Sequence, residues 1–489
     1  MADVIVVGGG LAGLSCAVAL ADRGRRVVVL ERDSLLGGRA RSWTDEKTGD
    51  TVDIGPHVLH SEYANMLAFL DRLGTRDLIT WQPRDVLTVA APSGTFVLRH
   101  TPLLPPPLSL MPSMFRAPGT TLKQHASSAK TVLRGMQFGE EDVPELDRMN
   151  ALDFLRSQGM DQRMIDWWWR FAAIVVTNVP IERCSAAAIL RIHAHLSGHR
   201  GLHFGFGAVG LSELYTTQAV RVIEEAGGEV RTGCGVKGLA GDGRAEGVVL
   251  DDGSVLRAPH IVSAVPPQEL ASLLPAHWRQ GKPFDALNVF EPSPYLSCYL
   301  WFDRRVMRER FMSFGWSPGR LNYDFYDLAQ IRRGWGTRPS IIASNIIYSH
   351  HANGLSDEEV VRATVQELSE HAPEAAQAKL LHARVHRIPM AIPCPTPGTE
   401  VRRPESRTGI PGLLLAGDWL RTRLPCCMEG AVRSGWLAAE QVLADGGIRV
   451  SIAIPPRPYD GLAGIVQRIT QWHRQRTGRR EAWVAGKRT

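Results

Sequence analysis

Val4-Ile5-Val6-Val7-Gly8-Gly9-Gly10-Leu11-Ala12-Gly13 opens the chain, and its reading decides the fold. Four consecutive aliphatic residues, most of them β-branched, fit a strand buried on both faces of a parallel sheet. A glycine-rich turn follows, and Leu14, Cys16, Ala17 and Leu20 then recur at helical spacing. Val27-Val28-Val29-Leu30 reads as a second strand, ending at Glu31. Strand, turn, helix, strand and acid in this order are the parts of a dinucleotide site. Gly8 permits the tight turn, Gly10 lets the backbone approach a pyrophosphate, and Gly13 lets helix and strand pack closely. The free N–H groups at the helix start, over Leu11 and Ala12, then face the phosphates. Glu31 is placed to accept hydrogen bonds from ribose hydroxyls.

The bulk composition sets the frame. The chain has 489 residues, enough for two or three domains, and its 44% apolar and 22% charged content is that of a globular protein. The formal charge of +6 is concentrated at the end: Arg468 to Thr489 carries seven Arg or Lys against one Glu, so the excess describes a tail more than the whole fold. Seven scattered cysteines, with no C-x-x-C pair and no His/Cys cluster at ligand spacing, argue against zinc and for a reducing, cytoplasmic setting. The N-terminus shows no signal-peptide pattern, and no run of ~18 apolar residues marks a membrane span. Contact with a membrane, at the inner face, is therefore expected to be peripheral.

Beyond Glu31 the chain continues Arg32-Asp33-Ser34-Leu35-Leu36-Gly37-Gly38-Arg39-Ala40-Arg41-Ser42. This resembles the L-G-G-R-x-x-S/T segment of the flavin amine oxidase and carotene desaturase superfamily. The resemblance selects FAD over a nicotinamide cofactor. It implies cofactor contacts from Arg32, Gly38, Arg39 and Ala40, with the arginines offsetting pyrophosphate charge. Far downstream, Leu413-Leu414-Leu415-Ala416-Gly417-Asp418-Trp419 and Met428-Glu429-Gly430-Ala431-Val432-Arg433-Ser434-Gly435 resemble the superfamily's closing motif. There Gly417 and Asp418 are implied to hold the ribityl or pyrophosphate portion. Met428, Glu429 and Ala431 start a helix aimed at the flavin. Gly227-Gly228-Glu229-Val230 leading to Val236 resembles the segment that places a backbone near adenine, and Ile261-Val262-Ser263-Ala264-Val265-Pro266 resembles the later strand that brings in Ala264.

The fold implied is α/β: a discontinuous Rossmann-like, glutathione-reductase-like FAD domain formed by 1–65, 205–270 and 385–450. An α+β substrate domain, 66–204 and 271–384, is inserted in it, and 451–489 is a basic amphipathic tail.

Gly55-Pro56-His57-Val58-Leu59-His60-Ser61-Glu62-Tyr63 resembles the G-x-H-x-x-x-x-x-Y string of plant-type phytoene and ζ-carotene desaturases and of the squalene-associated enzymes now understood as hydroxysqualene dehydroxylases. It implies that Gly55, Pro56 and His57 contact the cofactor and makes His57 the candidate catalytic side chain. Amine oxidases of this fold place an aromatic ring shortly before the M-E-G-A helix; Leu424-Pro425-Cys426-Cys427 has none. The substrate implied is a lipophilic isoprenoid, with no nucleic acid and no metal among the partners. A flavin amine oxidase and a non-catalytic FAD-bound lipid-binding protein are the alternatives.

Three further segments fit a greasy site. Thr101 to Pro112 is apolar and carries five prolines, which excludes a regular helix or a central strand. Trp167-Trp168-Trp169-Phe171 sits on a helix expected to begin near Asp161, and three successive tryptophans cannot share one face. In the tail, Leu462, Ile465, Val466, Ile469 and Trp472 follow helical spacing beside Arg468, Arg474 and Arg476.

Overall fold

Val4–Val7 forms strand β1, and each of its residues is buried. It pairs in parallel with β2 (Val27–Leu30), which pairs with β3 (Glu229–Arg231). On its other side β1 pairs with β4 (His260–Ser263), which pairs with β5 (Leu413–Leu415). The computed structural model that shows this describes residues 2–82, 85–91 and 94–485. Its five-stranded parallel sheet has the order β3-β2-β1-β4-β5. The four central strands, far apart in sequence, become neighbours because their aliphatic residues must be covered on both faces, while β3 (Glu229-Val230-Arg231) closes the edge.

The two faces are covered differently, by residue parity. Val4, Val6, Val27 and Val29 pack against α1 (Leu11–Ala21), α2 (Ala64–Leu73), α3 (Leu211–Glu225) and α4 (Met428–Asp445). Ile5, Val7, Val28 and Leu30 pack against Leu239, Val248 and Leu250 of a three-stranded antiparallel sheet and against Leu270 and Trp419. Sheet, helices on one side and a small β-layer on the other make the mixed α/β architecture expected.

The second sheet has seven strands and consists of 380–393, 292–302, 341–347, 322–327, 311–314, 85–91 and 94–99 in spatial order. It is antiparallel except where 311–314 meets 85–91. Along Pro292–Phe302 the period of two is plain. Leu296, Cys298, Leu300 and Phe302 face the helix Asp357–Ser369. On the opposite face Tyr299 donates to the Asp53 carbonyl at 2.9 Å and Trp301 to the Asp50 carboxylate at 2.8 Å, which seats this sheet on the nucleotide-binding side.

Four of the domain boundaries expected from sequence, at 65, 204, 270 and 384, fall inside continuous elements. Residue 65 lies in α2, whose packing on α3 and α4 keeps it with the parallel sheet. Residue 384 lies in Leu380–Pro393, which stays one strand because it pairs with Pro292–Phe302 along its whole length. The proline-rich segment is irregular as far as Pro107, but a helical turn follows over Leu108–Leu110 and Met111–Met114. Pro112 is tolerated there because first-turn N–H groups have no intrahelical partner. The tail forms the helix Gly461–Ala485, and the last four residues of the expected tail lie outside the described residues.

Candidate functional site

A cavity of about 1280 Å³ runs from the glycine-rich turn to the helices of the second unit. At its nucleotide end, α1 begins at Gly10 with no side-chain cap and no acid in its first turn, so its free N–H groups are available to an anion. Gly8, Gly10, Leu11 and Ala12 line this end. Gly13 does not: a Cβ there would sit 2.0 Å from the Gly8 carbonyl oxygen. Its role is to let α1 close on the turn, the close packing expected of it from the sequence.

Glu31, at the end of β2, accepts the Gly9 N–H at 2.8 Å and the Asp33 N–H at 3.0 Å. The same carboxylate therefore holds the turn in shape and keeps spare lone pairs toward the cavity it lines. Arg32 lies at the cavity rim, where it pairs with Glu269 at 2.9 Å. Arg39 joins the two ends of the chain: its guanidinium pairs with Asp418 at 2.7 Å and donates to the Ala391 carbonyl at 2.9 Å. Burial opposes the Arg39 charge, and the adjacent Asp418 carboxylate outweighs it, so the arginine titrates above its ordinary range. The pair was not read from the sequence, although each partner was.

Gly38, Ala40, Gly417, Met428 and Ala431 line the same stretch of wall, and Val236 and Ala264 line the end nearest β2 and β4. The uncapped helix start, the glycine turn and the Arg39–Asp418 pair fit a dinucleotide with a negatively charged pyrophosphate. Glu429 lines the cavity but is buried and committed elsewhere. Its oxygens accept the Asn65 N–H at 3.0 Å, the Asn65 side-chain amide at 2.6 Å and the Met66 N–H at 2.7 Å. A carboxylate on the first turn of α2 satisfies orphan N–H groups and favours the helix dipole. Glu429 thus ties α4 to α2.

Gly55, Pro56 and His57 form the wall where the nucleotide end meets the deeper cavity. His57 Nδ1 lies 2.8 Å from the Gly55 carbonyl, which can only accept, so Nδ1 carries the proton and Nε2 is an acceptor. Burial pushes the His57 pKa down, and the imidazole is neutral near neutral pH. His57→Ala is expected to keep bound FAD and to lower turnover; loss of the yellow colour from the purified variant would instead make His57 a cofactor ligand.

The deeper cavity is walled by Leu108, Met114, Leu122, Val132, Met136 and Phe171, with Trp168 and Trp169 beside them. The tryptophans divide as their spacing requires: Trp167 packs edge-on against Phe96, while Trp168 and Trp169 reach the cavity. A π-helical turn over Ile165–Trp169 presents them.

Sequence reasoning missed one carboxylate among the polar side chains that line this cavity. Asp324 and Tyr326, on one face of Asn322–Asp327, both line the cavity, and Tyr326 donates to Asp324 Oδ2 at 2.8 Å. Burial, partly offset by that hydrogen bond and by the Asn345 N–H, pushes the Asp324 carboxyl up to about 6. The one local signal was a carboxylate in phase with a tyrosine in an aromatic strand.

The profile of flavin-containing amine oxidoreductases matches residues 11–443. The chain belongs to the flavin-containing amine oxidoreductase family. It is an FAD-dependent oxidoreductase. Within this family it is similar to the 15-cis-phytoene desaturase of Solanum lycopersicum, 27% identical over 456 residues, covering 91% of this chain and 78% of the relative. It is similar to the 15-cis-phytoene desaturase of Synechococcus elongatus at 27% over 457 residues (90% and 96%), and to the zeta-carotene desaturase of Synechocystis at 23% over 476 residues (90% and 97%). Among solved structures, putrescine oxidase bound to putrescine shares the fold with a TM-score of 0.69 at 16% identity, over 91% of this chain and 99% of that one. Cyclohexylamine oxidase from Brevibacterium oxydans gives 0.65 at 17%, over 91% and 100%. Leu424, Pro425, Cys426 and Cys427 line the cavity before α4 and bring no aromatic ring there.

Proposed function

We propose that the protein transfers hydride between a polyprenoid hydrocarbon, of carotene-precursor or squalene type, and flavin N5. The observation that carries this is the continuity of the FAD-binding wall with a long cavity of aliphatic and aromatic side chains. The similarity to phytoene and zeta-carotene desaturases supports it. In this reading 1–65, 205–270 and 385–450 hold the cofactor, and 66–204 with 271–384 holds the substrate. FAD, when bound, supplies a two-electron hydride acceptor.

The protein's contribution is alignment. A hydrocarbon has no heteroatom to grip, so packing against Trp168, Trp169 and Phe171 fixes which carbon meets the flavin, and the apolar wall excludes water. The absence of a ring at 424–427 disfavours the amine oxidase alternative, and the arrangement around the flavin wall disfavours a purely lipid-binding protein.

Delivery of such a substrate calls for a lipid surface. Met111, Phe115 and Leu122 line the cavity and are also 37%, 42% and 72% exposed, so they mark its mouth. Leu462 lines the cavity too, and Ile465, Ile469 and Trp472 continue along its helix, each about half exposed. Lys123, Lys130, Arg468 and Arg476 lie among these residues in sequence, with Arg476 stacked on Trp472 at 4.3 Å. An apolar patch with basic residues suits an anionic bilayer. Among the described residues no helix is long and apolar enough to cross a membrane.

The test is anaerobic. Holo-protein is mixed with phosphatidylglycerol vesicles carrying a C30 or C40 isoprenoid. It is expected to sediment with them and to show bleaching of the visible flavin band, or reoxidation of pre-reduced flavin when a hydroxylated C30 isoprenoid is offered. A flavin that responds to simple amines and to none of these lipids would overturn the proposal.

A further inference from the structure

We propose that Asp324 is the base that takes the substrate proton during hydride transfer, an inference that rests on the hydrocarbon reading above. The geometry singles it out. Asp324 Oδ2 accepts from Tyr326 at 2.8 Å, and Oδ1 receives only a long contact, 3.4 Å, from the Asn345 N–H. The Asn345 side chain in turn donates to the Pro56 carbonyl at 3.2 Å, which links the carboxylate to the wall that carries His57. Ser313, directly opposite Asp324 across the strand pair, lines the same cavity with a buried hydroxyl that has no hydrogen-bond partner among the described residues. A carboxylate here is costly unless it serves the cavity. It is buried, its neighbours in the cavity wall are the neutral side chains of Tyr295, Ser313, Tyr326 and Asn345, and no ion pair of Asp324 occurs among the described residues.

The chemistry accounts for that cost. Removing hydride from an unpolarised C–H bond leaves positive charge on carbon, and a fixed carboxylate in a dry site stabilises that charge. In the balanced step, one C–H bond breaks and its electron pair leaves with hydrogen as hydride to FAD. On the neighbouring carbon, the electrons of a second C–H bond become the π bond of the alkene, and its proton passes to Asp324 Oδ. The substrate is oxidised by two electrons, FAD is reduced by two, and the carboxyl holds the proton until it returns to water.

The titratable groups facing Asp324 are Tyr326 on its own strand and Tyr295 on Pro292–Phe302. Burial pushes both phenols far above their ordinary range, so they stay neutral. From 341–347 it meets the Asn345 N–H, and on 311–314 Ser313 stands opposite it in register. Because burial holds the carboxyl near 6, it is mostly ionised at neutral pH and loses its basicity as pH falls through about 6.

Three readouts on the FAD-loaded full chain test this. Asp324→Asn is expected to keep the visible flavin spectrum and to lower isoprenoid turnover by about 100-fold or more, the scale of a general base. It should also weaken binding of dodecyldimethylamine, whose ammonium mimics the cationic centre, by about tenfold, read from perturbation of the flavin band. Wild-type turnover should fall below about pH 6, and Tyr326→Phe should move that midpoint upward while activity remains, because the carboxylate loses the hydrogen bond that favours its charged form. An Asp324→Asn protein that retains FAD and turns over or binds the ammonium like wild type would overturn the assignment, as would an unmoved midpoint in Tyr326→Phe. If wild type turns over no isoprenoid but its ammonium affinity depends on Asp324, the substrate reading fails and the anionic site stands.

Discussion

Gly13→Val is expected to yield a colourless protein. The β-carbon of any side chain at this position would lie 2.0 Å from the Gly8 carbonyl oxygen and 3.2 Å from Val6 Cγ1. The oxygen belongs to the backbone of the turn itself and cannot swing aside. Relief requires α1 to move away from β1, which withdraws its uncapped N-terminus from the cavity and spoils the turn held by Glu31. Overpacking a tight core costs about 1–3 kcal/mol and sometimes more. The ratio of visible flavin absorbance to protein absorbance reads the loss, and affinity for FAD should fall by at least about 100-fold, or ~2.7 kcal/mol. Gly13→Ala introduces the same β-carbon with less bulk and should show the same direction if the valine variant fails to accumulate. Full flavin content in both would mean that α1 is not held where its N-terminus serves the phosphates.

Asp53→Ala is expected to produce the largest loss of stability. Asp53 pairs with Arg332, and both side chains are less than a tenth exposed. The same carboxylate accepts the Leu211 N–H at 3.0 Å at the start of α3, and the Asp53 carbonyl accepts from Tyr299. One residue thereby ties the segment leading to Gly55-Pro56-His57 to a helix of the nucleotide-binding unit and to a strand of the other sheet. Deleting the carboxylate strands the buried guanidinium, which retains a 3.3 Å contact to the Gly207 carbonyl. Breaking one side of a buried ion pair typically costs about 3–5 kcal/mol. Thermal unfolding should show a markedly lower midpoint with reduced flavin content. The double variant Asp53→Leu/Arg332→Met should recover part of the loss, because the unpaired charge is gone. A midpoint equal to wild type in Asp53→Ala would show that the pair does not hold the two units together.

The legible parts of the molecule were those whose meaning is local. Val4 to Glu31 could be read because one short stretch holds a strand period, a glycine turn and an acid, each with its own mechanical reason. Met428 to Gly435 could be read because a helix start is local as well. What stayed hidden depends on pairing across hundreds of residues. Arg39 meets Asp418 only because β5 joins the sheet beside β4. Asp324 reaches the cavity only because 311–314 pairs with 322–327 on one side and with 85–91 on the other. Asn322 to Asp327 carries three polar and three aromatic residues, and every one of them is buried. That Glu429 caps α2 through Asn65 and Met66 could be seen only in the fold. The tail helix was visible in its period, but which side it turns to the body was not. Ala463 and Gly464 dock, whereas Ile465, Ile469 and Trp472 remain open.

The central claim is that distant segments close around FAD with a greasy chamber against its reactive face. Organic-solvent extraction of the purified yellow protein, with mass spectrometry of what it releases, tests this most directly. A C30 or C40 isoprenoid, accompanied by FAD, is the predicted result. A polar amine metabolite in its place, or a protein that stays colourless after reconstitution, would contradict the account.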